Sequence, residues 1–347
     1  MKTIFVTLCF AFSFSGLFAQ DFEYSLEVED VHEGPVIKKG DSNTQDNKYG
    51  FEGGTVIRYK NEYHLFTAER FGKPRLVKMR LANWKSKDGI NWERLSTIFE
   101  SSGNFTGEDK YASLWAPMPY FNKDEDRWNI FYVAYRSKPN DSTGWYLNYE
   151  GRIARAFSES PGYDGLQGPY KNAGFVLEPD SKDGDWVGLQ GNDSFFGYQV
   201  ENNWYAFYGS AQTQSNRNTK YPKHNLTMAT AVKLAGPWEK LTEKGLVKFH
   251  EKFAENPVIT KLDNGMYVAL LDSSKGSFGY SFSKDGLIWE EARFIKLAPY
   301  TKKWWTTVRT PLCLIPENDG FYTVFFTAFT ESGFAEVGKV KLKLIKK

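Results

Sequence analysis

Phe253-Ala254-Glu255-Asn256-Pro257-Val258-Ile259-Thr260-Lys261, followed by Asn264-Gly265-Met266-Tyr267-Val268-Ala269-Leu270, decides how the chain is read. An acidic residue opens a β-rich run, Asn264-Gly265 makes a turn, and a second strand mixes aromatic and apolar residues. The same pattern occurs as Phe51-Glu52-Gly53-Gly54-Thr55-Val56-Ile57-Arg58-Tyr59, then Asn61-Glu62-Tyr63-His64-Leu65-Phe66. It occurs again as Asn192-Asp193-Ser194-Phe195-Phe196-Gly197-Tyr198, then Asn203-Trp204-Tyr205-Ala206-Phe207-Tyr208. Each copy carries a carboxylate at one equivalent place: Glu52, Asp193 or Glu255.

Two further segments share the strand, turn and aromatic strand, around Trp115-Ala116-Pro117 and from Trp305 to Pro311. The outer part of the unit recurs as well. Ser86-Lys87-Asp88-Gly89 with Trp92 matches Ser283-Lys284-Asp285-Gly286 with Trp289, and Gly168-Pro169-Tyr170 matches Gly236-Pro237-Trp238. Asp-Gly and Gly-Pro are turn chemistry, and the aromatic after each turn is placed to cap a sheet. No amphipathic helix of three turns is present, so the class is all-β. Five units of four strands predict a five-bladed β-propeller, with a β-sandwich or another all-β barrel as the alternative. The inner strands are expected at 52–58, 115–121, 193–198, 255–261 and 307–314. The polar arm from Asp21 to Asn47 is expected to pair with the end of the chain, since closing the ring removes exposed edges.

The 347 residues suit one large domain or two small ones, and no low-complexity linker divides them. Met1-Lys2 and the apolar run from Ile4 to Phe18, with Ala19-Gln20 as a cleavage site, read as a signal peptide over 1–19. Residues 20–347 are then a single propeller, secreted or periplasmic, without a membrane anchor. Lys and Arg number 44 against 42 Asp and Glu, a net charge of +2 that offers nothing to a nucleic acid. Beyond Cys9 in the leader the chain keeps one cysteine, Cys313, so no internal disulfide forms and a large core must supply stability. Aromatics make up 17% of the chain, with 11 Trp, and suit either β cores or the faces of sugar rings.

In a propeller the inner strands of all blades begin near one axis, so Glu52, Asp193 and Glu255 would converge on a funnel. Paired carboxylates fit glycoside hydrolysis: one protonates the leaving oxygen and another activates water or attacks carbon. A third nearby raises the acid's pKa by like-charge repulsion. Trp115 and Trp305, with Trp186 and Trp304, are candidates for stacking on sugars. Gln190, Asn192 and Asn256 are candidates for contacts to hydroxyls, and Arg309 for a substrate hydroxyl or carboxylate, or else a structural ion pair. His32, His64, His224 and His250 lack metal-ligand spacing, and no Ser-His-Asp pattern or phosphate loop is present. The longer stretches Gly103–Ala112, Lys138–Gly151 and Gln212–Asn225 are polar and aromatic loops of the kind that serve function.

Trp115-Ala116-Pro117, Asn192-Asp193-Ser194-Phe195-Phe196 and Glu255-Asn256-Pro257 with Gly265-Met266-Tyr267, in this order and spacing, resemble glycoside hydrolase family 43 and its five-bladed relatives, families 32 and 117 among them. The resemblance covers nearly all of the chain after the leader. It implies a glycosidase working by inversion, with Glu52 as general base, Asp193 tuning pKa and Glu255 as general acid. It implies an oligosaccharide or polysaccharide substrate from plant or algal glycans and a monomer. No cofactor is expected, although a structural calcium at the centre is compatible with the resemblance. Glu52-Gly53-Gly54 stands where the family usually has Asp-Pro. That difference keeps two alternatives open: a glycan-binding propeller without turnover, or a propeller enzyme with other carboxylate roles, such as a lyase or phosphorylase.

Overall fold

A computed structural model describes residues 23–42, 44, 46–139, 147–179, 190–212, 223–241, 254–273, 277–297 and 304–347. The expected signal peptide, Trp186, His250 and parts of the loops at 138–151 and 212–225 lie outside the described residues, as does the side chain of His224.

The chain is a five-bladed β-propeller. The strand β1 (Tyr24–Val31) comes first. The first blade is β2 (Phe51–Tyr59), β3 (Glu62–Arg70), β4 (Met79–Ser86) and β5 (Glu93–Glu100). The second is β6 (Ser113–Asn122), β7 (Arg127–Ser137), β8 (Asn148–Ser158) and β9 (Tyr170–Leu177). The third is β10 (Ser194–Val200), β11 (Asn203–Gln212), β12 (Lys223–Ala231) and β13 (Glu239–Leu241). The fourth is β14 (Ala254–Lys261), β15 (Tyr267–Ser273), β16 (Phe278–Ser283) and β17 (Arg293–Phe294). The fifth combines β18 (Thr307–Pro311), β19 (Ile315–Pro316), β20 (Phe321–Phe329) and β21 (Ala335–Lys346) with β1 on its outer edge.

Each sheet is covered on both faces by its neighbours, so its strands are apolar on both faces rather than alternating. Leu65 of β3 packs with Trp84 and Phe325 between the fifth and first blades. The next residue, Phe66, packs with Leu81 and Tyr132 between the first and second. Ile130 and Phe131 divide in the same way between the two sides of the second blade. The remaining clusters lie between the third and fourth blades, around Phe207 and Leu271, and between the fourth and fifth, around Leu270 and Phe326.

Four inner strands fall within two residues of their expected limits. The fifth differs: expected to run to 314, it ends at Pro311. Proline has no N–H for the ladder, and the ladder slips between Val308 and Pro311. The Leu312 carbonyl then accepts from Val56 N of the first blade at 2.8 Å, tying neighbouring blades together near the axis.

The recurring turns are structurally equivalent. Ser86 Oγ and Ser283 Oγ accept from Gly89 N and Gly286 N, and Asp88 and Asp285 each accept from the two backbone N–H groups that follow the glycine. These donors hold both carboxyls below their usual range; burial opposes them at Asp285. The indoles of Trp92 and Trp289 then wedge against the neighbouring blades, edge-on to Phe325 and Phe207. In the Gly-Pro units, Tyr170 Oη and Trp238 Nε1 both donate to the carbonyl four residues earlier, of Leu166 and Leu234. Closure follows the expected route. β1 pairs antiparallel with β21 from Tyr24↔Lys346 to Val31↔Val340, and the arm behind it bridges Ile37 to Val337.

Candidate active site

A β-bulge near the start of the inner strand builds the site. The ladder slips directly after Glu52 in β2, after Trp115 in β6 and after Glu255 in β14. The extra residue takes a positive φ: Gly53 at 61°, Ala116 at 48° and Asn256 at 48°. A bulge bends its strand and re-aims the side chains beside it. Glycine suits the first blade because a Cβ on Gly53 would stand 3.2 Å from the Ala116 Cβ of the second. Trp115 therefore occupies in the second blade the rung held by Glu52 and Glu255.

Glu52 and Glu255 converge on one guanidinium. Arg309, inside the slipped stretch of β18, approaches Glu52 Oε1 through Nε at 2.9 Å and donates Nη2–H to Glu255 Oε2 at 2.6 Å. Its Nη1 donates to Asp272 Oδ2, also at 2.6 Å. Asp272, next to last in β15, lies directly across the ladder from Glu255. Asn256 Nδ2 bridges the two acids, 3.2 Å from Glu255 Oε2 and 2.8 Å from Asp272 Oδ2. On the other side, Glu52 Oε2 lies 3.6 Å from Nη1 of Arg70, whose Nη2 donates to the Tyr49 carbonyl.

Three carboxylates thus share two guanidinium groups in a poorly hydrated site. Burial pushes the Asp272 carboxyl up to about 8, with Arg309 pulling the other way. Burial also works against the Arg309 charge, but Glu255, Asp272 and Glu52 overcome it and hold Arg309 well above its ordinary value. Arg70 is drawn down to about 10 by burial, with Glu52 opposing.

Asp193 comes from the third blade, one residue before β10, whose ladder with β11 has no bulge. Its N–H donates to the Gly209 carbonyl at 3.0 Å. Its Oδ2 accepts from Gln190 Nε2 at 3.4 Å. The absence of a side chain at 209 makes the room, since a Cβ there would fall 2.4 Å from Asp193 Oδ1. Tyr135 of β7 feels the charges of both Asp193 and Glu255. Burial lifts its phenol well above the usual value, and the charges of Asp193 and Glu255 add to the lift.

The other candidates divide. Asn192 is fully buried and donates to the Leu177 carbonyl at the end of β9, joining the second and third blades. Trp305 is 7% exposed and packs edge-on against Phe326 in the core of the fifth blade. Trp115 remains half-buried, its Nε1 donating to Ser113 Oγ. Among the described residues no group of three or more His, Cys, Asp or Glu is arranged to hold a metal ion. Arg309 stands in the midst of Glu52, Glu255 and Asp272, where a central cation would need their oxygens, so this cluster does not fit calcium. Sequence reasoning missed Asp272, Arg70 and Tyr135, which lie on second strands rather than inner ones.

Solved structures similar to this fold include glycoside hydrolases. A family 117 glycoside hydrolase, Zg3597 from Zobellia galactanivorans, superposes with a TM-score of 0.61 at 14% identity, over 92% of this chain and 90% of that one. BT0996, solved as an RGII complex, gives 0.70 at 13% identity, over 91% and 92%. An α-L-arabinofuranosidase from Lactobacillus brevis gives 0.58 at 12% identity, over 84% and 91%. At such identities the likeness is one of fold. No family model and no curated protein sequence matches the chain.

Proposed function

We propose that the protein is an exported glycoside hydrolase acting on plant or algal polysaccharide fragments by inversion. The observation that carries this reading is the convergence of Glu52 and Glu255, from the first and fourth blades, on the Arg309 guanidinium. Glu52 lies between Arg70 and Arg309 and is proposed to take a proton from water. Glu255, which shares Arg309 with two other acids, is assigned the part of the general acid. As water attacks the anomeric carbon, Glu52 takes the water's proton and Glu255 gives its own to the leaving oxygen. Asp193 is proposed to tune Glu255. Gln190, Asn256 and Trp115 are proposed to line the sugar site. The known glycosidase neighbours support the same chemistry only by analogy of fold.

One observation favours a second reading, a glycan-binding propeller without turnover. The 2.6 Å contact between Arg309 and Glu255 favours an ionised Glu255, which has no proton to give. A panel of oligosaccharides and aryl glycosides, assayed for both binding and released sugar, separates the two. Release from at least one member is expected; tight binding with no release anywhere overturns the hydrolase. Export is proposed from the segment Met1 to Ala19. N-terminal sequencing of protein from its host is expected to find a start at or near Gln20, and a retained Met1 contradicts it.

A further inference from the structure

Asp272 is the most buried acid of the cluster, with 1% of its side chain exposed, so a substrate in the funnel does not touch it. Its Oδ2 nevertheless takes three donors: Arg309 Nη1 at 2.6 Å, Asn256 Nδ2 at 2.8 Å and Thr310 Oγ1 at 3.3 Å. Two of these donors also hold Glu255 Oε2, Arg309 through Nη2 and Asn256 through the same Nδ2. Asn256 reaches both acids from a bulge with φ of 48°, a backbone that side chains other than Asn, Asp and Gly seldom adopt.

We propose that Asp272 is a positioning residue for Glu255: it anchors Arg309 and Asn256, and through them fixes the Glu255 carboxyl opposite Glu52. This rests on the hydrolase reading for its effect on turnover but not for its effect on Glu255 itself. The charged and polar groups facing Asp272 are Glu255 and Asn256 from β14, Arg309 and Thr310 from β18, and Glu52 from β2.

Asp272→Asn keeps an acceptor for Arg309 and removes the charge. The test follows the Glu255 carboxyl by 13C NMR in glutamate-labelled protein, assigned with Glu255→Gln. With the carboxyl that anchors Arg309 replaced, the contacts of Arg309 and Asn256 to Glu255 change, and the Glu255 midpoint is expected to move. Asn256→Gly, which allows the positive φ and removes the shared amide, loses a donor to the ionised form and is expected to move it up. On any glycan the wild type cleaves, Asp272→Asn is expected to lower kcat about 10-fold or more with KM little changed, since misplacing a reacting group costs rate. A Glu255 midpoint unmoved in both variants overturns the proposal, whatever the turnover. A wild type that cleaves nothing while the midpoints move as stated overturns the hydrolase reading alone.

Discussion

Arg309 sets the electrostatics of the site. Without it, Glu52, Glu255 and Asp272 would be three acids crowded beside a single partner, Arg70. With it, each of the three has a guanidinium partner. Asp272 bears the greatest cost because it is the most secluded, and its carboxyl is raised from an ordinary 3.8 to about 8. Between those values the folded protein holds a proton that the unfolded chain has released. Stability therefore falls as pH rises through that window, by at most about 1.4 kcal/mol per pH unit from this group, and levels off above it. Urea denaturation from pH 5 to 9 is expected to show this slope in the wild type and its loss in Asp272→Asn. An identical slope in both proteins contradicts the placement of the proton on Asp272. Glu52, Asp193 and Glu255 were legible in the sequence because each opens a recognisable inner strand. Asp272 was not. Counting back from the Lys261↔Tyr267 pair on a regular ladder sets Ser273 opposite Glu255, and only the bulge at Asn256 brings Asp272 there. A bulge of this kind leaves little trace in sequence when its extra residue is not glycine.

At the scale of elements, the inner strands are the precise part of the fold. Bulged ladders carry Glu52, Trp115 and Glu255, whereas Asp193 stands just ahead of a straight one, beside Gly209. Gly209→Ala puts a methyl 2.4 Å from Asp193 Oδ1 and 2.5 Å from Ser194 Oγ, closer than atoms pack. Asp193 must swing away or β11 must shift. The variant is expected to lose about 1–3 kcal/mol of stability, as over-packed sites do, and roughly 10-fold or more in kcat through displacement of Asp193. Denaturation midpoints and kcat measured together check this; wild-type kcat in a destabilised protein means the Asp193 orientation is not used. The paired turns at Asp88 and Asp285, and at Tyr170 and Trp238, were legible because each is a local hydrogen-bond motif set by its own residues. The early end of β18 at Pro311 was not, because the cross-blade bond from Val56 that takes over there is a tertiary contact.

For the whole molecule, closure is the vulnerable joint. β1 covers β21 as the outer strand of a blade whose other strands come from the far end of the chain. Leu26 is 4% exposed and sits in the core between the fourth and fifth blades. Removing Tyr24–Val31 is expected to cost about 1.5–3 kcal/mol from Leu26 alone and to leave β21 as an open edge prone to pairing with other molecules. Thermal denaturation with light scattering checks this, and an unchanged midpoint without aggregation contradicts the closure described. The ring was legible from the repeats, whereas the convergence of its carboxylates on Arg309 is a tertiary arrangement that no local pattern announces. The most direct test of the central claim, that Glu52 and Glu255 are base and acid of one hydrolytic site, is the leaving-group dependence of turnover. On aryl glycosides of graded leaving ability, Glu255→Gln is expected to lose about 10²–10⁴-fold with poor leaving groups and far less with good ones. Glu52→Gln is expected to lose a comparable factor with all of them. Wild-type turnover by Glu52→Gln, or a loss in Glu255→Gln that ignores the leaving group, contradicts the account.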